Sequence, residues 1–311
     1  VSLPLLIAVL GPTASGKSAL GIELAKKFDG EIVNFDSVQV YRGFDIGSAK
    51  TPEAERGGIP HHLIDVLDPA EQSSAGDFAR MARPVLANIA ARGKTPVLVG
   101  GTGFYFKALI EGLFEGPARD EALRGRLEAI AERGRLHRLL QRLDPEAARR
   151  IHPNDVPKLV RAVEVCILAG KPLSEAHAAP AEPLEGFRIV RLGLDPPREA
   201  LYERINRRAR AMFEEGLLDE VRGLLADGVP RSAWAFGALG YRQALACLDG
   251  AITLEEAIEQ TAQGTRNYAK RQLTWFRRQE SETVWLEGFG SEPSLIRRAV
   301  TAVAIDHTAN G

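Results

Sequence analysis

A parallel α/β sheet flanked by helices and carrying a helical insertion domain is the fold class the sequence predicts, on three observations. Short apolar runs recur between helix-favouring stretches: "LLIAVLG", "EIVNFD", "HLIDVLD", "TPVLVGG", "RIVRLGLD" and "TVWLEG". They lack strict polar alternation, as strands covered on both faces do. A glycine-rich loop follows the first run directly, and the strand signal vanishes between Pro117 and about Gly186, where charged helix formers replace it.

The first run, inside "LPLLIAVLGP", is too short to span a bilayer and lacks a basic leader, so it reads as a strand rather than a targeting segment. "GPTASGKS" fits G-x-x-x-x-G-K-[ST] and opens the amphipathic stretch "SALGIELAKKF". A strand before and a helix after make this a P-loop. The glycines let backbone N–H groups converge on phosphate oxygens, Lys17 adds a point charge, and Ser18 can help hold Mg²⁺. Gly11, Thr13, Ala14, Ser15, Gly16, Lys17 and Ser18 are therefore the candidate diphosphate- or triphosphate-binding set.

P-loop hydrolases need a further acid at the end of another strand. The fourth run ends instead in Gly100 and Gly101, while Asp36 closes the second. At the carboxyl edge of a doubly wound sheet Asp36 would stand beside bound ligand, as a group acting on the acceptor. An Asx turn or helix cap is the plainer reading of the same residue.

Beyond Pro117, "DEALRGRLEAIAERGRLHRLLQRLDPEAARRI" and "DVPKLVRAVEVCILAG" read as long helical stretches, flanked by the hinge-like "EGPARD" and "APAEPLEG". The strand pattern resumes at Arg188. A helix "REALYERINRRARAMFEEGLLDEVRGLLADG" follows, then another over about Leu254 to Arg278. After Gly290 the pattern weakens, and "AIDHTANG" is expected to fray. The expected organisation is a core in two parts, 1–116 and 188–290, a helical insertion over 117–187, and a tail over 291–311.

With Lys+Arg 40 against Asp+Glu 41, any polyanion-binding surface must come from local clustering. Cys166 and Cys247 form neither a disulfide framework nor a zinc spacing, which fits a cytoplasmic protein. His61 and His62 lack a matching ligand cluster and read as packing or hydrogen-bonding residues.

"DSVQVYRGFDIGSAKTP", "PHHLIDVLDP", "VLVGGTGFYFKAL", "GYRQA" and "YAKRQLTWFR" occur in order after the P-loop. Together they resemble the tRNA dimethylallyltransferases over almost all of Leu5 to Leu286. The resemblance implies transfer of a prenyl group from dimethylallyl diphosphate to N6 of an adenosine beside the anticodon, with Mg²⁺ and release of diphosphate. The P-loop would then stabilise a leaving group rather than serve hydrolysis. It also implies tRNA, through its anticodon arm, as partner. No membrane association is expected, and no obligate protein partner is evident, so a monomer is expected.

Carried onto this chain, the resemblance makes Asp36 the general base and Lys17 a catalytic cation. Thr102 becomes either a hydroxyl near the reacting oxygen or a cap of the following helix. Arg204 and Arg208 share a helix face that reads, alone, as a solvated charged surface. The family's diphosphate-contacting arginine matches Arg208. The tRNA-binding set implied is Asp36, Ser37, Val38 and Gln39 at the target base, Lys158 and Arg161 in the insertion, and Gly240, Tyr241 and Arg242. Lys270, Arg271 and Arg277 complete it, from a segment that alternates basic and aromatic residues. Lys158 stands where an arginine is usual, so charge is kept and forked hydrogen bonding lost. Phe35, Phe44 and Phe104 also depart from the family pattern and are expected in the apolar walls around the prenyl group. Tyr41 and Phe104 read equally as buried packing residues. A small-molecule or nucleoside kinase, with Asp36 acting on a hydroxyl, is the alternative enzyme. A nucleotide-switched nucleic-acid-binding module is the third reading.

Overall fold

A computed structural model describes residues 3–113, 116–117, 119–132, 135–176 and 182–309. The chain divides into two compact units, one of Val1–Ile110 with Leu184–Gly311 and one of Glu111–Pro183. The first begins with β1 (Leu5–Leu10), α1 (Lys17–Lys27), β2 (Gly30–Asn34), β3 (His61–His62), α2 (Ala75–Ala91), β4 (Thr95–Val99) and α3 (Gly103–Ile110). The second is helical: α4 (Glu121–Glu132), α5 (Leu136–Leu143), α6 (Pro145–Arg150), α7 (Val156–Ala169) and α8 (Leu173–Ala176). The first unit resumes with β5 (Arg188–Asp195), α9 (Arg198–Glu214), α10 (Leu217–Ala226), α11 (Tyr241–Leu248), α12 (Leu254–Gln279), β6 (Val284–Glu287) and α13 (Pro293–Ala309).

The sheet has the order β3-β2-β4-β1-β5-β6. Every strand pair is parallel, and Ile7 of β1 pairs with Val97 of β4 and Val190 of β5. From β1 the chain moves outward to β2, whereas from β4 it continues to β5 on the far side. The order therefore reverses between β1 and β4, which opens a crevice at their carboxyl ends. One face of the sheet packs Ile7, Val9, Val97 and Leu192 against Leu20 and Leu24 of α1 and Leu295, Ala299 and Val303 of α13. Leu6, Ala8 and Leu10 are buried as well, as the unbroken apolar pattern requires. A second core joins Val40, Tyr41 and Phe44 to Phe213, Leu217, Phe236 and Tyr241.

Four expectations change. "HLIDVLD" forms only the two-residue β3 and an isolated bridge between Tyr41 and Leu67, because Leu63 and Asp65 take positive φ (60° and 56°), which ends an extended strand. The helix expected from Arg198 onward breaks into α9 and α10 at Gly216, whose φ of 105° suits glycine. The insertion's first helical stretch is split into three, α6 starting from Asp144, whose side chain accepts from the Ala147 N–H. The segment after Gly290 is α13, with Leu295, Ala299 and Val303 fully buried, rather than a loose tail. Both hinge-like flanks lie partly outside the described residues, as do the last two residues of the chain. No described helix is long and apolar enough to cross a membrane.

The two histidines have structural partners. His61 Nδ1 lies 2.8 Å from the Ile59 carbonyl, and His62 Nε2 lies 2.7 Å from Glu31 on β2. Arg92 forks onto the same carboxylate at 2.5 and 2.8 Å. Among the described residues no group of three His, Cys, Asp or Glu is placed to hold a metal. Hydrogen bonds from Arg92 hold the Glu31 carboxyl down at about 2, against the opposing effect of burial, with His62 adding to the depression. A depressed carboxyl contributes stability above its unfolded value that fades as pH falls through the folded value. Glu31→Gln is accordingly expected to melt below the wild type at pH 7, with the gap closing toward pH 2. Parallel melting curves at every pH would remove Glu31 from that role.

Candidate active site

β1 ends at Leu10, and the chain turns into α1 through Gly11 (φ 144°) and Gly16 (φ 88°). A Cβ on Gly16 would lie 2.9 Å from the Gly290 nitrogen. Only a glycine lets the turn after β6 approach so closely, and there the Gly290 N–H donates to the Ser15 carbonyl at 2.9 Å. Within the loop Ser15 is buried and its hydroxyl donates to the Pro12 carbonyl at 2.8 Å. Ala14 holds a positive φ of 63°, and Ser18 is exposed on the first turn of α1. The Lys17 ammonium donates to the Pro12 carbonyl at 2.6 Å. Burial pulls its pKa down to about 7, Arg208 lowers it further, and Asp36 works the other way.

Arg208 reaches this loop from α9, donating to the Thr13 hydroxyl at 2.6 Å. Burial lowers its pKa, Asp36 opposes that, and Arg204 adds to it. Arg204 itself lies over the Phe289 ring at 4.8 Å. The charged face on α9 is thus divided, with Arg208 turned to the P-loop and Arg210 paired with Glu255 at 2.5 Å.

Asp36 follows β2 at the same edge. Its Oδ1 accepts from the Val38 N–H at 2.8 Å and the Gln39 N–H at 3.3 Å, so the Asx turn exists. Among the described residues no donor is bonded to Oδ2. One oxygen fixes the turn and the other stays available to a ligand. Thr102 Oγ1 accepts from the Ser37 N–H at 3.2 Å and lies 3.5 Å from the Ser37 hydroxyl. Its bonds go across to the Asp36 turn, and among the described residues none goes to the backbone of α3. The Thr102 side chain is therefore tied to the Asp36 turn and not to the first turn of α3.

Two residues on α12 complete the cluster and were not singled out from sequence. Gln272, 6% exposed, accepts from the Thr13 N–H at 2.8 Å and donates to the Gly101 carbonyl at 2.8 Å. It clamps the P-loop to the end of β4. Tyr268 stands one turn earlier and lines the same cleft; burial, with Asp36 adding to it, pushes its pKa up to about 12, and the neighbouring Thr102 and Gln272 work the other way. The glycine pair that replaces a strand-end acid leaves room for Gln272, since a side chain on Gly101 would collide with its amide. Lys17, Asp36, Gln39, Arg208, Tyr268 and Gln272 all line one cleft of ≈ 920 Å³ at the crevice between β1 and β4.

The remaining candidates divide. Lys270 and Arg271 are exposed on α12 and flank a shallow groove with Trp275 and Arg278. Arg242 is exposed at the start of α11, while the Gly240 N–H donates to Gln243 at 3.0 Å. Tyr241 is fully buried and donates to Glu220 at 2.6 Å, so its ring is a core residue with no face for RNA. Arg277 is half exposed, paired with Asp195 at 2.5 Å and lying over Trp285 at 5.7 Å. In the second unit Lys158 is exposed beside Asp155, whereas Arg161 donates to the buried Glu164 at 2.7 Å. Phe35 and Phe44 are buried against Phe106 and Tyr241 and are not among the residues that line the ≈ 920 Å³ cleft, and Phe104 is 56% exposed. Tyr41 is fully buried, as the packing reading has it.

Comparison with known proteins gives a consistent match over the whole of this geometry. Residues 39–279 match the model of the IPP transferase family, and residues 4–65 match that of isopentenyl transferases. A tRNA dimethylallyltransferase of Solibacter usitatus is 56% identical over 301 residues, covering 96% of this chain and 98% of that protein. Its counterpart in Koribacter versatilis is 55% identical over 306 residues, covering 97% and 99%. The full-length tRNA isopentenylpyrophosphate transferase of Bacillus halodurans superposes with a TM-score of 0.71 at 39% identity, over 98% of both chains. A eukaryotic dimethylallyltransferase captured acting on tRNA gives 0.81 at 29% identity, covering 99% of this chain and 80% of that one. P-loop, Asp36 turn and α12 clamp all fall inside these matches, and the chain belongs to the IPP transferase family.

Proposed function

We propose that this protein transfers a dimethylallyl group from dimethylallyl diphosphate to N6 of an adenosine beside the anticodon of tRNA, releasing diphosphate. The observation that carries the reading is the meeting of opposite functions in one cleft, an anion nest with Lys17 and Arg208 on one side and Asp36 on the other. Negative charge grows on the diphosphate as the donor's C–O bond breaks, and a cation-lined nest favours that charge. The N6 lone pair forms the new C–N bond. The amine is a weak nucleophile, so a carboxylate that accepts its proton assists the step.

Mg²⁺ fits as an ion carried by the substrate. Among the described residues no three-ligand cage exists, and Ser18 offers one hydroxyl beside the nest. This matches the habit of Mg²⁺ to bind largely through phosphate oxygens and water. When bound, the ion would neutralise charge on the diphosphate.

The test is incubation with donor, Mg²⁺ and an unmodified anticodon stem-loop, followed by mass spectrometry of the RNA. Gain of one isopentenyl group is the expected result. An unchanged RNA mass, or phosphoryl transfer from ATP to a small acceptor, would overturn the proposal.

For the RNA itself, the exposed α12 pair supplies the phosphate contacts. Lys270→Ala and Arg271→Ala are each expected to weaken tRNA binding and to lower the slope of log affinity against log salt by about 1. A slope unchanged in both variants would place the RNA elsewhere.

A further inference from the structure

The segment from Asp36 to Lys50 carries Gln39 into the cleft, and its far end is anchored from outside the site. Glu220 of α10 accepts from the backbone N–H groups of Asp45 (3.2 Å), Ile46 (2.7 Å) and Gly47 (3.5 Å), and from the Tyr241 hydroxyl at 2.6 Å. One carboxylate thus fills a nest of three successive amides, an arrangement that favours an anion. Burial, reinforced by Glu220, keeps the Tyr241 hydroxyl protonated and so a donor.

The residues that follow this nest hold Gln39. Its Nε2 donates to the Ser48 carbonyl at 3.1 Å and the Ala49 carbonyl at 3.3 Å. Two carbonyls can receive only the amino end of the amide, so the side chain cannot flip. Oε1 is bonded to no donor among the described residues, and Gln39, Ser48 and Ala49 line the cleft. Ala49 also keeps a left-handed backbone (φ 52°), a conformation that persists where the surroundings over-determine it. Glu220, with Lys50 donating to the Tyr41 carbonyl, Asp45 and Asp65, supplies that constraint.

We infer that Glu220 is a positioning residue for base selection: by fixing residues 45–49 it locks Gln39 with only its carbonyl oxygen facing the cleft. A locked acceptor suits an exocyclic amino group, such as adenine N6, and disfavours a base that presents a carbonyl oxygen there. The choice of base rests on the proposed function; the lock itself is a property of the free protein.

Two measurements test it. In the free protein, the Gln39 side-chain NH₂ signals, assigned by comparison with Gln39→Leu, are expected to exchange slowly. They are expected to exchange much faster in Glu220→Gln, with Tyr241→Phe, which keeps the ring and removes one donor, giving a smaller acceleration. Slow exchange retained in Glu220→Gln would overturn the inference whatever the enzyme's substrate. In the transfer assay Glu220→Gln is expected to lose about tenfold in kcat on an anticodon stem-loop, as small misplacements of an aligned group do. KM for dimethylallyl diphosphate should stay unchanged, because none of these bonds touches the P-loop. Adding Gln39→Leu to Glu220→Gln should cost no more than Gln39→Leu alone. Additive losses, or a raised donor KM, would mean that Glu220 acts through general stability and not through Gln39. A wild type that fails to prenylate RNA would instead indict the proposed function, and the exchange measurement would still decide the lock.

Discussion

Replacing Asp36 with asparagine is expected to slow prenyl transfer by about 10² or more, roughly 2.7 kcal/mol of barrier, while donor binding survives. The prediction follows from the division of labour between the two carboxylate oxygens. Oδ1 accepts from the Val38 and Gln39 N–H groups, and an asparagine carbonyl can keep both bonds, so the turn persists. The NH₂ that replaces Oδ2 cannot take up a proton. Asp36 favours the protonated Lys17 against burial and Arg208, but among the described residues its carboxylate oxygens bond only to its own turn, so the backbone nest and Arg208 that would hold the donor stay in place when it is neutralised. Single-turnover rates at saturating donor, beside a donor titration, separate the two effects. A rate within a few-fold of wild type would take Asp36 out of the proton transfer, and weakened donor binding would move it into the nest.

Much of this site is local in sequence. "GPTASGKS" declares itself because the whole loop lies within eight residues, and Asp36 sits at the end of a strand whose apolar run was plain. The central strands were legible for a related reason: both sheet faces are covered, so Ile7, Val97 and Val190 pair inside unbroken apolar runs. What escaped depends on contacts made far along the chain. Gln272 meets Thr13 across 259 positions, and nothing near Gln272 distinguishes it from a polar residue on an amphipathic helix. Glu220 looks like surface charge until α10 brings it to the amides of Asp45, Ile46 and Gly47.

The misreadings have the same origin. "HLIDVLD" carries strand-like residues, but the Leu63 carbonyl accepts from Asn34 and Asp65 accepts from Lys50, bonds that accompany a left-handed turn. Tyr241 is a polar aromatic in a glycine-bearing motif, which suggested RNA contact. Its hydroxyl is instead satisfied by Glu220, and its ring fills a core beside Phe44. By contrast α13 was signalled: Leu295, Ala299 and Val303 recur every fourth residue, a buried helical stripe that the weak overall composition concealed.

Glu164→Ala should produce the largest loss of stability, about 3–5 kcal/mol within the helical unit. The carboxylate is fully buried on α7 and accepts from Arg124 at 2.9 and 3.0 Å, from Arg161 at 2.7 Å, and from the Asp120 N–H at 2.9 Å. Burial pushes its pKa up, and these bonds overcome it to hold the group at about 2. Truncation therefore strands two guanidinium groups and a backbone amide without their acceptor. The same bonds make stability pH-dependent: the contribution is present above the unfolded carboxyl value and fades as pH falls through the folded one. Lys158, an exposed side chain paired with the partly exposed Asp155 three residues away, provides the contrast, since Lys158→Ala should change stability by less than about 1 kcal/mol. Chemical denaturation of both variants, followed by helical signal at pH 7 and again near pH 3, checks the pair. If Glu164→Ala unfolds with the wild-type midpoint, the Arg124–Glu164–Arg161 cluster is not the brace of this unit, and Arg161 would be free to face RNA.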